Sequence, residues 1–306
     1  MRLALTGASG LIGTRLVASL IGEGHDLTIF VRPGSAPPPR PHGDGTVTNA
    51  TWDPAHGVIE AEALEGLDGV IHLAGVGIAD KRWSPAQKDA IMSSRTQGTE
   101  LLAGAIAAAS TPPSVLLSAS AIGYYGDKGD QIVDESGTPG DDFTARVSVA
   151  WEASAQAAVD TDGVRVAFLR TGIVQAKEGG PLGKQLPFFT FGLGGRIGSG
   201  RQYISWIAIE DEIRAIRFLL DHDVSGPVNL TAPEPVTNSE YTKTLGGVLH
   251  RPTTILPITG PRVLFGRELA DTLLLTSARV VPAALLEAGF DFAQPELRGA
   301  LESILN

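Results

Sequence analysis

The first thirteen residues constrain the chain more than any other stretch. Leu3 to Thr6 is a short apolar run that stops at glycine, and Thr6-Gly7-Ala8-Ser9-Gly10-Leu11-Ile12-Gly13 follows it. Ile12, Leu16 and Leu20 then recur every four residues, which is helix spacing. A strand, a turn spaced G-x-x-G-x-x-G and a helix must therefore follow one another without a gap. The early glycines permit a tight turn and let backbone N–H groups approach a pyrophosphate. The last lets the helix lie close to the sheet. An ordinary glycine turn is the competing reading, and the strand-to-helix context speaks against it.

The rest of the chain continues the alternation. Leu27–Val31, Val47–Trp52, Val70–Leu73, Val115–Leu117 and Val164–Leu169 read as strands. Ser84-Pro85-Ala86-Gln87 starts a helix with a capping serine, a proline in the first turn and a glutamine three residues after the cap. That helical region runs toward Ala109, with an interruption expected near Ser93. Asp141-Asp142 caps a helix carrying Phe143, Val147 and Trp151 on one face. Strands alternating with helices imply an α/β fold, a Rossmann-like doubly wound parallel sheet. After Gly172 the pattern changes. A Gly/Pro-rich stretch at 179–200, a helix marked by Ile213, Ile216 and Leu220, and a leucine-rich helical stretch near Leu264–Leu275 follow. The reading is a nucleotide-binding domain over 1–172 with a return segment near 200–225, and a smaller substrate lobe mainly over 173–306. The Pro-rich segment Arg32–Pro41 reads as an exposed loop.

Composition removes several function classes. With 24 basic and 34 acidic residues the net charge is −10, which argues against nucleic acid as a partner. The absence of cysteine rules out disulfides, thiol nucleophiles and thiolate metal sites. The six histidines are scattered without metal-ligand spacing. No Gly-x-Ser-x-Gly elbow occurs, and Gly183-Lys184 lacks the rest of a phosphate-binding P-loop. No apolar run has membrane-spanning length and no signal core precedes the first strand, so no membrane partner and a cytoplasmic location are expected. The expected partner is an unknown small-molecule substrate; a homodimer is left open.

The second strand ends about twenty residues past the glycine loop, where an acidic residue would bind the ribose hydroxyls of NAD. Phe30-Val31-Arg32 stands there instead, and Asp26 lies at the wrong end of that strand. An arginine at the strand end can pair with a 2′-phosphate. The expected cofactor is therefore NADP(H), with a solvated loop arginine as the rival reading.

The glycine loop, His72-Leu73-Ala74-Gly75 and Ser118-Ala119-Ser120 together resemble the extended short-chain dehydrogenase/reductase family. Lys81-Arg82-Trp83, Ser94-Arg95, the continuation to Ala121-Ile122-Gly123-Tyr124-Tyr125-Gly126, Trp151-Glu152, the stretch Gly198–Asp211 and Ala288-Gly289-Phe290-Asp291-Phe292 resemble its atypical "epimerase family protein" subgroup, which is NAD-dependent epimerase/dehydratase-like. The resemblance covers nearly the whole chain. Loop and resemblance together imply a cofactor set of Thr6, Gly7, Ser9, Gly10, Leu11, Ile12, Gly13, Arg32, Leu73, Ala74, Gly75, Ser118 and Arg170.

The resemblance also implies a serine and a Tyr-x-x-x-Lys pair, and here the chain departs. The helix after Ser120 reads Phe143-Thr144-Ala145-Arg146-Val147-Ser148-Val149-Ala150-Trp151-Glu152. In one register Thr144 and Ser148 replace the pair; in another Ser148 and Glu152 do. The family's asparagine on the preceding helix appears as Arg95. An arginine that contacts diphosphate in sugar-nucleotide enzymes appears as Ile204, although Arg201 is close. Ser120 can hydrogen-bond a carbonyl oxygen or cap backbone. Tyr124 or Tyr125 can supply a phenolic proton or pack under the loop. Glu152 can act as acid or base, or be a helix-surface carboxylate. Arg82 and Arg95 can bind an anion or form structural salt bridges, and Trp83 and Trp206 can wall a pocket or fill a core. Two functions follow: an NADP(H)-dependent oxidoreductase or epimerase with an altered proton relay, or an NADP(H)-binding sensor or assembly protein with little catalysis.

Overall fold

The computed structural model describes residues 1–35 and 41–305. The expected Pro-rich loop falls largely on 36–40, outside the described residues. An eight-stranded sheet organises the chain. Its strands include β1 (Arg2–Thr6), β2 (Asp26–Val31), β3 (Val47–Asp53), β4 (Val58–Ile59), β5 (Gly69–His72) and β6 (Val115–Ala121). The strands Arg165–Thr171 and Gly226–Leu230 complete it beyond β6. All neighbours pair in parallel except β3 with β4. Two strands outrun their sequence estimates. β6 extends to Ala121 and its neighbour to Thr171, so Ser118, Ser120 and Arg170 lie within strands, not after them.

Side chains alternate between two packed faces, as strand geometry requires. Leu3, Leu5, Leu117 and Leu169 face α1 (Leu11–Gly22) and the helix Ile209–Asp221, which brings Ile213, Ile216 and Leu219 into the same core. Ala4, Leu116 and Val166 face the other way, toward Leu102, Ala103 and Ile106 of α2 (Pro85–Ala108). The Ser84 hydroxyl caps α2 by accepting from the Gln87 N–H at 3.1 Å. The helix runs unbroken past Ser93. Ser94 and Thr96 donate to the carbonyls of Ile91 and Met92, so their hydroxyls bond along the helix instead of ending it. The Asp142 carboxylate caps α3 (Phe143–Ala153), accepting from the Ala145 N–H at 2.8 Å.

The remaining chain builds a second cluster, in which Leu182, Trp206, Tyr241, Leu245 and Leu301 are buried together. The leucine-rich stretch is two helices, Thr259–Phe265 and Arg267–Leu275, divided at Gly266 with φ +88°. Between the segments of this cluster the chain twice rejoins the sheet core. The helix Ile209–Asp221, within 200–225, and the strand Gly226–Leu230 after it make the first return, and Leu285, Phe290 and Phe292 bury in the α1-side core in the second.

Candidate functional site

The strand order reverses at β1. β2 and β3 lie on one side of it, and β5 and β6 on the other. Thr6 and His72, at the carboxyl ends of β1 and β5, stand side by side at this switch point, where open α/β sheets bind ligands. The glycine loop is built tightly around it. A Cβ on Gly7, at φ +75°, would lie 2.7 Å from the Leu73 carbonyl carbon, and one on Gly13 would lie 2.2 Å from the Gly7 oxygen. Gly10 differs: its Cβ would meet only the Gly7 oxygen, at 3.4 Å. Gly7 and Gly13 thus hold backbone against backbone, whereas Gly10 keeps a space open at the start of α1. Among the described residues no side chain caps α1, and no acid stands in its first turn. Its first N–H groups and its dipole are left for an anion, which fits the pyrophosphate of a dinucleotide.

Ser9 and Gly10 are exposed on this loop, and Leu11 and Ile12 are half-buried. Leu11 lies against Gly179 and Gly180, and Arg15 pairs with Glu178 at 2.7 Å, so the segment 178–180 borders the loop. Leu73, Ala74 and Gly75 leave β5 at the same edge, with Gly75 exposed. Arg32 follows β2, exposed and without an ion pair among the described residues. Asp26 is occupied at the far end. Hydrogen bonds from the Thr46 hydroxyl and N–H hold its carboxyl below the usual range.

Three residues expected to touch the cofactor turn inward instead. The Thr6 hydroxyl is fully buried against His72 Nδ1 at 2.7 Å. Ser118 is fully buried within β6, in register with His72 and Phe168, and its hydroxyl has no partner among the described residues. Arg170 spends its donors on protein, as described below. For Ser118 and Arg170 the physical reason is the strand lengths, which place them inside the sheet; Thr6, the last residue of β1, is instead held inward by its bond to His72. His72 serves as a bridge. Its Nε2 meets the Thr99 hydroxyl at 2.9 Å, and that oxygen also accepts from Trp151 Nε1 at 2.9 Å. Burial lowers the His72 pKa to about 4, so the bridge is neutral at pH 7.

Beside this bridge, at the carboxyl end of β6, lies a connected polar network. Ser120 Oγ donates to Glu152 Oε1 at 2.6 Å. Arg170 grips both oxygens of that carboxylate through Nε and Nη2, each at 2.8 Å. Its Nη1 donates to the Tyr125 hydroxyl at 3.0 Å, which donates to Asn229 Oδ1 at 2.7 Å. The guanidinium also lies 3.5 Å from the Tyr124 ring centre. Glu152 is therefore an ion-paired carboxylate in the interior, not one on the helix surface. Tyr125 cannot meet a substrate. Its ring is fully buried, burial raises its pKa, and both sides of its hydroxyl are taken. Tyr124 is half-buried, and no protein acceptor among the described residues takes its hydroxyl. Asn229 and Glu135, whose carboxylate accepts from the Asn229 and Ala284 N–H groups, complete the network. Sequence spacing gives no signal for either, because more than ninety residues separate them.

Residues 3–231 match the model of the NAD dependent epimerase/dehydratase family. The chain belongs to that family. Residues 256–304 match a domain of unknown function. The epimerase family protein Mb2239 of Mycobacterium bovis is 43% identical over 97% of this chain and 95% of its own length. The human epimerase family protein SDR39U1, solved as a crystal structure with NADPH, superposes with a TM-score of 0.88 at 33% identity, covering 99% of each chain. A nucleoside-diphosphate sugar epimerase structure from Corynebacterium glutamicum is 34% identical with a TM-score of 0.78, but this chain covers only 58% of it.

In this epimerase-family chain the other relay candidates are spent locally. Thr144 donates to Asp142 at 2.6 Å and Ser148 to the Thr144 carbonyl at 3.1 Å, both buried against Gly123. Trp206 is a core residue, fully buried with its Nε1 on the Glu234 carbonyl. Trp83 donates to the Ile78 carbonyl and packs edge-on against Phe143 at 4.9 Å, closing the loop after β5 onto α3. Arg201 is exposed. An open concavity at the amino ends of the strands, lined by Val164, Arg165 and Gly226, lies away from all this chemistry. Among the described residues no group of acids and histidines is placed to hold a metal ion, and no helix is long and apolar enough to cross a membrane.

Proposed function

We propose that this chain is a cytoplasmic NADP(H)-dependent oxidoreductase or epimerase acting on a small-molecule carbonyl or alcohol, with Ser120 and Glu152 in place of the usual tyrosine and lysine. The observation that carries this reading is the 2.6 Å bond from Ser120 to Glu152 at the switch-point edge. The uncapped start of α1 and the space at Gly10 support the pyrophosphate. Arg32, exposed and without an ion pair among the described residues, supports the 2′-phosphate, as does the NADPH bound by the human relative. Bound NADP(H) would exchange a hydride with the substrate carbon. In the alcohol-oxidising direction Ser120 takes the proton of the substrate hydroxyl and passes its own to the Glu152 carboxylate; in carbonyl reduction the same path runs in reverse, with solvent resupplying the proton to the relay. Arg170 keeps Glu152 oriented by holding both of its carboxylate oxygens. Tyr124, whose hydroxyl is taken by no acceptor among the described residues, is the second donor at the same edge.

The expected outcome is tighter binding of NADPH than NADH, lost on Arg32→Ala. With a panel of carbonyl compounds, Ser120→Ala should lower NADPH oxidation about a hundredfold while sparing NADPH affinity. Equal cofactor preference in wild type and Arg32→Ala would refute the phosphate assignment. Full activity of Ser120→Ala would refute the relay. A second reading has its own support: Arg170 and Asn229 already satisfy Glu152 and Tyr125, which suits a cofactor-binding protein with little catalysis. NADPH binding without oxidation across the panel would favour it.

A further inference from the structure

Arg95 sits on α2 directly below the loop that leaves β5. Its guanidinium carbon would be 3.3 Å from a Cβ on Gly75. Nη1 donates to the carbonyls of Val76 at 2.9 Å and Ile91 at 3.1 Å. No carboxylate pairs with it among the described residues, and Nε and Nη2 donate to no protein acceptor there. The guanidinium lies 4.8 Å from the ring centre of Trp151, so its underside is apolar. Burial lowers its pKa to about 10, as befits a cation short of counter-charge. Holding one loop carbonyl does not require a charge. Ser94 already fixes the same residue by accepting the Val76 N–H at 3.1 Å.

Arg95 is half-buried, and neither Nε nor Nη2 is sealed from solvent, so both donor nitrogens are open to an anion that a neutral donor would attract far less. The position says which anion. Arg95 stacks on Trp151, next in sequence to Glu152, and so shares the α2/α3 face of the sheet with Ser120. The uncapped start of α1 lies on the opposite face. We propose that Arg95 is an anion-binding residue of the substrate cleft, receiving a carboxylate or phosphate of the substrate through Nε and Nη2. The inference rests on the oxidoreductase reading only in assigning that anion to a substrate.

The test titrates inorganic phosphate and malonate, at constant ionic strength, into the NADPH-loaded and the free protein, for wild type, Arg95→Gln and Arg95→Lys. Gln retains a donor for the Val76 carbonyl without the charge, and circular dichroism checks the fold of each variant. The expected result is saturable thermal stabilisation of wild type by at least one anion. It should be weakened tenfold or more in Arg95→Gln and partly restored in Arg95→Lys, with NADPH affinity unchanged within twofold. An identical anion response in wild type and Arg95→Gln, or none in wild type, would overturn the proposal. So would a loss of NADPH affinity in Arg95→Gln matching the loss of anion response, because Arg95 would then serve the cofactor. If wild type fails to bind NADPH, the oxidoreductase reading falls, and the titration of free protein still decides whether Arg95 holds an anion.

Discussion

Replacing Glu152 by Gln should destabilise the fold before it says anything about catalysis. The side chains of Arg170 and Glu152 are only 4% and 13% exposed, and two bonds of 2.8 Å join them. Breaking a buried pair by removing one charge costs about 3–5 kcal/mol, because the other charge stays buried. Gln preserves the volume and the Oε1 acceptor for Ser120 and Arg170 Nε, but presents an N–H to Arg170 Nη2. The expected loss is therefore below that range, about 2–3 kcal/mol. At roughly 2 °C per kcal/mol for a chain of this size, Tm should fall by about 5 °C. Urea unfolding of wild type, Glu152→Gln, Arg170→Met and the double variant gives the coupling. The double variant should lose at least about 1.5 kcal/mol less than the sum of the singles, since contacting residues are not additive. Additivity within about 0.5 kcal/mol would refute the claim that the pair holds this corner together. The cycle also sets the condition for reading activity: a rate loss in Glu152→Gln counts only at a temperature where the variant is folded.

The glycines make a matched pair. Gly10→Val should leave circular dichroism and Tm nearly unchanged while abolishing NADPH binding, because a side chain there meets open space that the pyrophosphate needs. Gly13→Ala should lower Tm sharply, because its Cβ would lie 2.2 Å from the Gly7 oxygen. A folded Gly10→Val with wild-type NADPH affinity would show that the loop has another purpose. Glu212 is fully buried, with one carboxyl oxygen on Thr171 and the other without a partner among the described residues, and burial pushes its pKa up to about 8. A raised carboxyl pKa means that the folded state holds the proton which the unfolded state releases. Stability therefore falls as pH rises from about 4.5 to about 8, by up to about 1.4 kcal/mol per unit. Glu212→Gln should raise Tm at pH 9 and give no comparable gain at pH 5; a pH-independent difference between the two proteins would show that ionisation is not the cause.

Local physics made much of this protein legible in one dimension. The glycine spacing, the capping serine of α2 and the capping aspartate of α3 act over a few residues, so sequence alone determines the βα turn and where these helices begin. The alternation of apolar runs determines the parallel sheet and hence the edge at which a ligand must sit. Tertiary structure decided which side chains are free at that edge. A strand's end depends on its neighbours: β6 and the strand Arg165–Thr171 pair as far as Ala121 and Thr171, which carries Ser118 and Arg170 into the interior. The Ser120–Glu152–Arg170–Tyr125–Asn229 chain joins residues up to 104 positions apart, so no local pattern announces it. The same holds for Arg95. Its identity is plain in the sequence, but only the packed fold reveals that no carboxylate among the described residues answers its charge. The reason is common to all three cases: covalent neighbours set backbone preference, whereas burial and charge balance are settled by residues that only folding brings together.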